Sequence, residues 1–203
     1  MHKWMVPVAV VAAIWLVTVA DSGLAKWVAA AYGIASVGLY SVSAAAHYKI
    51  RDAESLHLLF QLDHSMILVF FIASTGPVSF AMGGGSGLLL YIGMAVGTGV
   101  GLVAIWLPFH PPRGFINTLF FTIGWWPVLF AFPLTRGLGA GGLAILLGGG
   151  AIFTIGALIV GSRRPDPNPH VFGYHEIWHI FVIAGNSVHY VLAYFVVTGQ
   201  TPL

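Results

Sequence analysis

The chain has 203 residues, of which 58% are hydrophobic and only 7% charged, and its mean hydropathy is +0.90. A soluble domain carries about a quarter charged residues, so a water-soluble enzyme is excluded and one polytopic membrane domain spanning 1–203 is expected. The formal net charge of +2 is too small to favour nucleic acid, and the lack of cysteine leaves only His, Asp and Glu to hold a metal.

Taken in chain order, apolar stretches fall at about 4–20, 27–47, 58–80, 88–108, 115–134, 138–161 and 173–198. Each approaches the roughly 20 residues that cross a bilayer as a helix, which predicts an all-α bundle of seven transmembrane helices. The first could instead be a secretory signal, because Lys3 precedes an apolar run ending in small residues near Ala25; we read it as a retained helix. The breaks are marked by Gly, Pro or charge: Asp21-Ser22-Gly23, Met82-Gly83-Gly84-Gly85, His110-Pro111-Pro112-Arg113 and Arg163-Arg164-Pro165-Asp166-Pro167. We read 82–87 as a flexible external turn. No internal repeat or inverted pair of halves is visible, which argues against a transporter.

The basic residues orient the bundle. Lys3, Lys49, Arg51, Arg113, Arg163 and Arg164 collect at the amino terminus and alternate connections, while Lys26 and Arg136 face the other side. Cytoplasmic loops are enriched in Lys and Arg, so the amino terminus is expected in the cytoplasm and the carboxyl terminus outside. Gly93, Gly97 and Gly101 recur at every fourth residue, a spacing that suits close helix packing. No Gly-Lys-Ser/Thr follows, so no phosphate loop is implied. Trp106, Trp125 and Trp126 read as interface anchors.

Polar residues inside a membrane are costly and mark function. The acidic residues within the apolar stretches are Asp63 and Glu176. His175 and His179, four apart, fall on one helix face and can grip a single metal ion. With the orientation above, His47 ends the second helix at the cytoplasmic side, with Ser43 one turn deeper. Asp63 lies in the first turn or two of the third helix, and the two histidines open the seventh. Four potential ligands from three helices therefore share one depth. Three His with a water or carboxylate make a sensible zinc shell. Asp63 could ligate directly or act as general base. Ser43 could orient His47, bond the reacting group, or bond its own helix carbonyl.

The remaining histidines read as structural. His64 is turned about 100° from Asp63 around the helix. His189, fourteen residues beyond His175, sits about 20 Å deeper at 1.5 Å per residue and is expected to bond a neighbouring helix. His2, His57, His110 and His170 fall in loops or at ends and are expected in solvent. His175-Glu176-Ile177-Trp178-His179 also matches the H-E-x-x-H of zinc metalloproteases, in which Glu is the base, but so short a motif carries little specificity.

At these residues the chain resembles the hemolysin III family, the bacterial branch of the progestin and adipoQ receptor proteins, which include the adiponectin receptors. The resemblance rests on Ser43-Ala44-Ala45-Ala46-His47, Leu62-Asp63-His64-Ser65 and Gly124-Trp125. It continues through Arg164-Pro165-Asp166-Pro167-Asn168-Pro169, Phe172-Gly173-Tyr174-His175-Glu176-Ile177-Trp178-His179 and His189-Tyr190, covering about residues 35–195. The resemblance implies seven helices, a cytoplasmic amino terminus and zinc near the cytoplasmic face. By motif match it implies His47, His175 and His179 as ligands, with Asp63 contacting a water on the metal. The family is similar to the alkaline ceramidases, and its animal receptors are linked to ceramide hydrolysis. Position 176 is often Gln in those relatives, so no general-base role is assigned to Glu176. Family members usually open with an amphipathic stretch carrying Asn and Thr-His, whereas Met1-His2-Lys3-Trp4 leads almost directly into apolar sequence.

The expected function is hydrolysis of a membrane lipid amide, ceramide-like, by a zinc site in the bacterial inner membrane, with Asp63 and Ser43 as catalytic residues. A receptor or membrane-state sensor with structural zinc needs the same ligands. A pore-forming hemolysin is disfavoured because no helix carries a polar stripe. A retinal protein is disfavoured because Lys3, Lys26 and Lys49 lie at segment ends. A bis-histidine haem would need His64 and His189.

Overall fold

The computed structural model describes residues 2–21, 23–47, 52–107, 114–168 and 171–200. The helices are α1 (His2–Val19), α2 (Gly23–Ala46), α3 (Ala53–Met82), α4 (Gly84–Trp106), α5 (Phe115–Trp125), α6 (Ala131–Ser162) and α7 (Tyr174–Val197), with a 3-10 helix over Trp126–Phe130 joining α5 to α6. Among the described residues the sole β pairing is an isolated bridge between Asn168 and Phe172. The expected connection at 110–113 lies outside the described residues.

Among the described residues six segments are long and apolar enough to cross a membrane: α1, α2, most of α3, α4, the whole of Phe115–Ser162, and α7. Their outward faces carry large apolar side chains, with Trp4 72%, Trp27 76% and Ile34 73% exposed. Such a surface is stable against hydrocarbon rather than water, and helices satisfy their backbone polar groups there without solvent. The chain is a polytopic helical membrane protein.

The segment 115–162 is not one straight rod. Pro127 removes an amide donor and tightens the backbone into the 3-10 turn. Helical structure then runs on through 134–138, where a break was expected, and fails at Gly139, whose φ is 69° and ψ 177°. Gly83, the single residue between α3 and α4, has nearly the same conformation, φ 60° and ψ −177°. Positive φ with extended ψ is open essentially only to glycine. Trp125 Nε1 donates to Thr154 Oγ1 at 3.0 Å although the residues are 29 apart. A straight helix would separate them by about 43 Å, so the chain folds back at Gly139. A Cβ on Gly137 would meet the Ala81 carbonyl at 2.8 Å, so the turns at Gly83 and Gly139 lie side by side. The expected flexible turn at 82–87 is shorter than anticipated, since α4 already starts at Gly84.

Small residues set the helix spacing. A Cβ on Gly33 would stand 2.5 Å from that of Ala13, which brings α1 against α2. Of the fourth-residue glycines, Gly93 is covered by Trp126 and Gly101 by Leu68. The main core gathers Leu16, Tyr32, Leu39, Tyr40, Phe70 and Val182 from α1, α2, α3 and α7. Within it Tyr32 donates its hydroxyl to Asn186 Oδ1 at 2.6 Å, and Asn186 Nδ2 donates to the Tyr40 hydroxyl at 2.9 Å. One buried amide thus ties α2 to α7.

Candidate metal centre

The starts of α7 and α3 are fixed by local chemistry. At α7, Glu176 Oε2 accepts the Gly173 amide at 2.9 Å and Asp166 Oδ1 accepts the Tyr174 amide at 3.1 Å. Two carboxylates therefore serve the otherwise unpaired donors of the first turn. This turns Glu176 back along its own helix, and His175 and His179 take the inner face of the first two turns. At α3, Asp52 accepts both the amide and the hydroxyl of Ser55 at 2.8 Å, and those hydrogen bonds hold its carboxyl below the usual range. With this cap α3 begins at Ala53, so Asp63 lies in its third turn, deeper along the helix than the first or second.

His47, just past α2, meets the two α7 histidines. One nitrogen from each of His47, His175 and His179 lies within 4.8 Å of the other two. The Nε2 atoms of His47 and His175 are 2.9 Å apart. Ring centroids stand 4.8, 5.0 and 4.7 Å apart for the pairs 47–175, 47–179 and 175–179. A tetrahedral ion with nitrogen ligands at 2.0–2.1 Å needs those nitrogens about 3.3 Å apart, which this spacing brackets. The cluster grades from exposed His47 through half-buried His175 to buried His179.

The donor chemistry also fits. His47 Nδ1 lies 2.8 Å from the Ser43 carbonyl oxygen, and a carbonyl can only accept. Nδ1 therefore carries the proton, and the Nε2 lone pair faces His175. Locking the far nitrogen in this way is the usual arrangement for a metal-binding imidazole. Three neutral imidazoles without thiolate suit zinc or a similar divalent ion.

Asp63 is half-buried and stands outside the three-nitrogen cluster. Its carboxyl lies close enough to Ser43, which is buried at 3% exposure, for the two to interact. Ser43 thus adjoins the site twice, by its carbonyl against His47 and by its proximity to Asp63.

The other histidines divide. His64 Nδ1 lies 2.7 Å from Phe60 O of its own helix, and its ring stacks on Phe120 of α5. His189 Nε2 lies 3.3 Å from Leu146 O of α6. These two rings face different helices, α5 and α6. His57 is exposed, and His110 and His170 lie outside the described residues. His2 departs from expectation: it is 4% exposed, with both ring nitrogens 3.0 Å from His179 Nδ1. The close packing of α1 on α2 carries it inward between Tyr40 and His179, and a position near a terminus does not decide burial when the helix is docked. No spacing signal could have revealed it, because its neighbours come from other helices.

Comparison with known proteins agrees with these motifs. The chain is 24% identical over 160 residues to the "Hemolysin-3 homolog" of Bacillus subtilis (strain 168), covering 77% of this chain and 70% of that protein. It is 28% identical over 170 residues to "Hemolysin-3" of Bacillus cereus, covering 82% and 73% respectively. To the human "Monocyte to macrophage differentiation factor" it is 26% identical over 203 residues, covering 93% and 78%. The family profile described as haemolysin-III related matches residues 1–190. The chain belongs to the haemolysin-III related family, within the progestin and adipoQ receptor superfamily.

Proposed function

We propose that this is a zinc-dependent hydrolase of the bacterial inner membrane acting on a membrane lipid amide, ceramide-like in its chemistry. The observation that carries the reading is the convergence of His47, His175 and His179 beside a Ser43–Asp63 pair at a partly exposed edge. Seven passes with a cytoplasmic amino terminus are part of the proposal. The reversal at Gly139 supports counting 115–162 as two passes, and the Lys and Arg distribution supports the orientation.

A bound zinc ion supplies Lewis acidity and makes water a nucleophile near neutral pH. His47, His175 and His179 would hold it, with Asp63 outside the three-nitrogen group. Asp63 takes the proton of the attacking water and later returns it to the leaving amine. Ser43, beside Asp63, is the hydroxyl that would donate to the carbonyl oxygen as negative charge develops there. A lipid would reach the site from the side on which His47 is exposed.

A receptor or membrane-state sensor with structural zinc is the second reading. It is favoured by the ligands' origin, since one ion would clamp the end of α2 to the start of α7. The pore-forming activity suggested by the name hemolysin fits less well, because apolar clusters fill the spaces between the described helices. The test is release of fatty acid from a ceramide-like amide by purified zinc-loaded protein, with and without a hydroxamate. Turnover that the hydroxamate blocks supports the hydrolase. Tight zinc binding with no product and no hydroxamate binding supports the sensor.

A further inference from the structure

His2 is a further imidazole in contact with the three-histidine cluster, and its geometry differs from that of the three. Its ring centroid stands 4.0 Å from that of His179, edge-on at 65°, and both its nitrogens are 3.0 Å from His179 Nδ1. Yet it does not belong to the group of mutually close nitrogens formed by His47, His175 and His179. A fourth ligand would have to approach all three, whereas His2 touches His179 alone.

The tautomers give this contact a direction. A neutral imidazole has one donor and one acceptor nitrogen. For His179 to offer Nε2 to a metal, its Nδ1 must bear the proton and donate it. The group placed to accept it, at 3.0 Å, would be the unprotonated ring nitrogen of His2. That is the service the Ser43 carbonyl performs for His47. His2 is itself held, since its ring packs edge-on against Tyr40 at 5.1 Å, and Asn186 fixes the Tyr40 hydroxyl. His179 is the most buried of the three, at 8% exposure, so water is a poor substitute acceptor for its Nδ1.

We infer that His2 is a positioning residue for the metal centre: it accepts the Nδ1 proton of His179 and so fixes the tautomer and ring angle in which Nε2 ligates. This makes α1 part of the site, although α1 carries no ligand. The inference rests on the metal-site reading above. A partner that orients a ligating histidine is typically worth 10–100-fold in metal affinity.

The test measures zinc affinity by chelator competition on purified protein, with thermal unfolding of the metal-free form recorded alongside. His2→Phe keeps the ring and removes the acceptor, while His2→Gln keeps an acceptor of similar reach. Expected is an affinity loss of about 10–100-fold for His2→Phe, largely restored in His2→Gln, with metal-free unfolding little changed. The cobalt-substituted protein should keep its visible band pattern in both variants, as the ligand set is intact. Equal affinity in parent and His2→Phe, or no rescue by Gln, overturns the inference. A cobalt spectrum reporting a lost nitrogen ligand overturns it too, by making His2 a ligand. If the parent itself binds no zinc, the metal-site reading falls and this inference with it, a result distinct from the others.

Discussion

The Nδ1 of His47 lies 2.8 Å from the backbone carbonyl oxygen of Ser43, one helical turn earlier. The contact uses the main chain, so the identity of residue 43 is free to serve something else. Its side chain interacts with Asp63. Ser43→Ala is therefore expected to leave zinc affinity unchanged while lowering lipid-amide turnover by about 10²-fold, the effect of losing one donor at a developing oxyanion. Chelator competition and product release, measured on the same preparation, separate the two roles.

Asp63 stands outside the ligand group. Asp63→Ala should keep zinc at the parent stoichiometry and lower turnover by about 10²–10⁴-fold, as expected for loss of a general base. Metal loss in this variant would make Asp63 a ligand. Unchanged turnover would remove its proposed role.

Glu176 accepts the Gly173 amide at 2.9 Å, so it caps α7 instead of facing substrate. Glu176→Gln should retain both zinc and turnover, because Gln can make the same capping contact. Glu176→Ala should lower stability by about 0.5–2 kcal/mol, the usual cost of a lost cap. A turnover loss of several orders of magnitude in Glu176→Gln would instead favour the metalloprotease-like reading of this helix.

Gly139 and Gly148 offer a paired test of the fold. Gly139→Ala forces a side chain into φ 69° with ψ 177° and is expected to cost about 1–3 kcal/mol. Gly148 lies within α6 with no neighbouring atom within 4 Å of an added Cβ. Gly148→Ala should be neutral or stabilising by about 0.5–1 kcal/mol. Thermal unfolding in detergent compares them directly, and equal shifts would contradict a turn at Gly139.

Much of the helix inventory was legible because hydropathy reports lipid exposure directly. The reversal near 139 was misplaced by a few residues. Arg136 looked like the mark of a connection, yet the helix carries it on past Gly137 to Gly139, where φ turns positive. The meeting of His47, His175 and His179 was readable from the i, i+4 spacing joined to the charge-derived orientation. The same face of α7 continues through Val182 to Asn186, seven residues beyond His179, and that spacing could have revealed the Tyr32–Asn186–Tyr40 link. His2 could not be found this way, because its burial depends on how α1 docks against α2 and α7.

Elemental analysis of the purified protein, run beside His47→Ala, His175→Ala and His179→Ala, tests the metal centre most directly. Expected is zinc bound in stoichiometric amount by the parent and lost or sharply reduced in each variant. A parent free of divalent metal, or three variants that retain it in full, would contradict a shared three-histidine site.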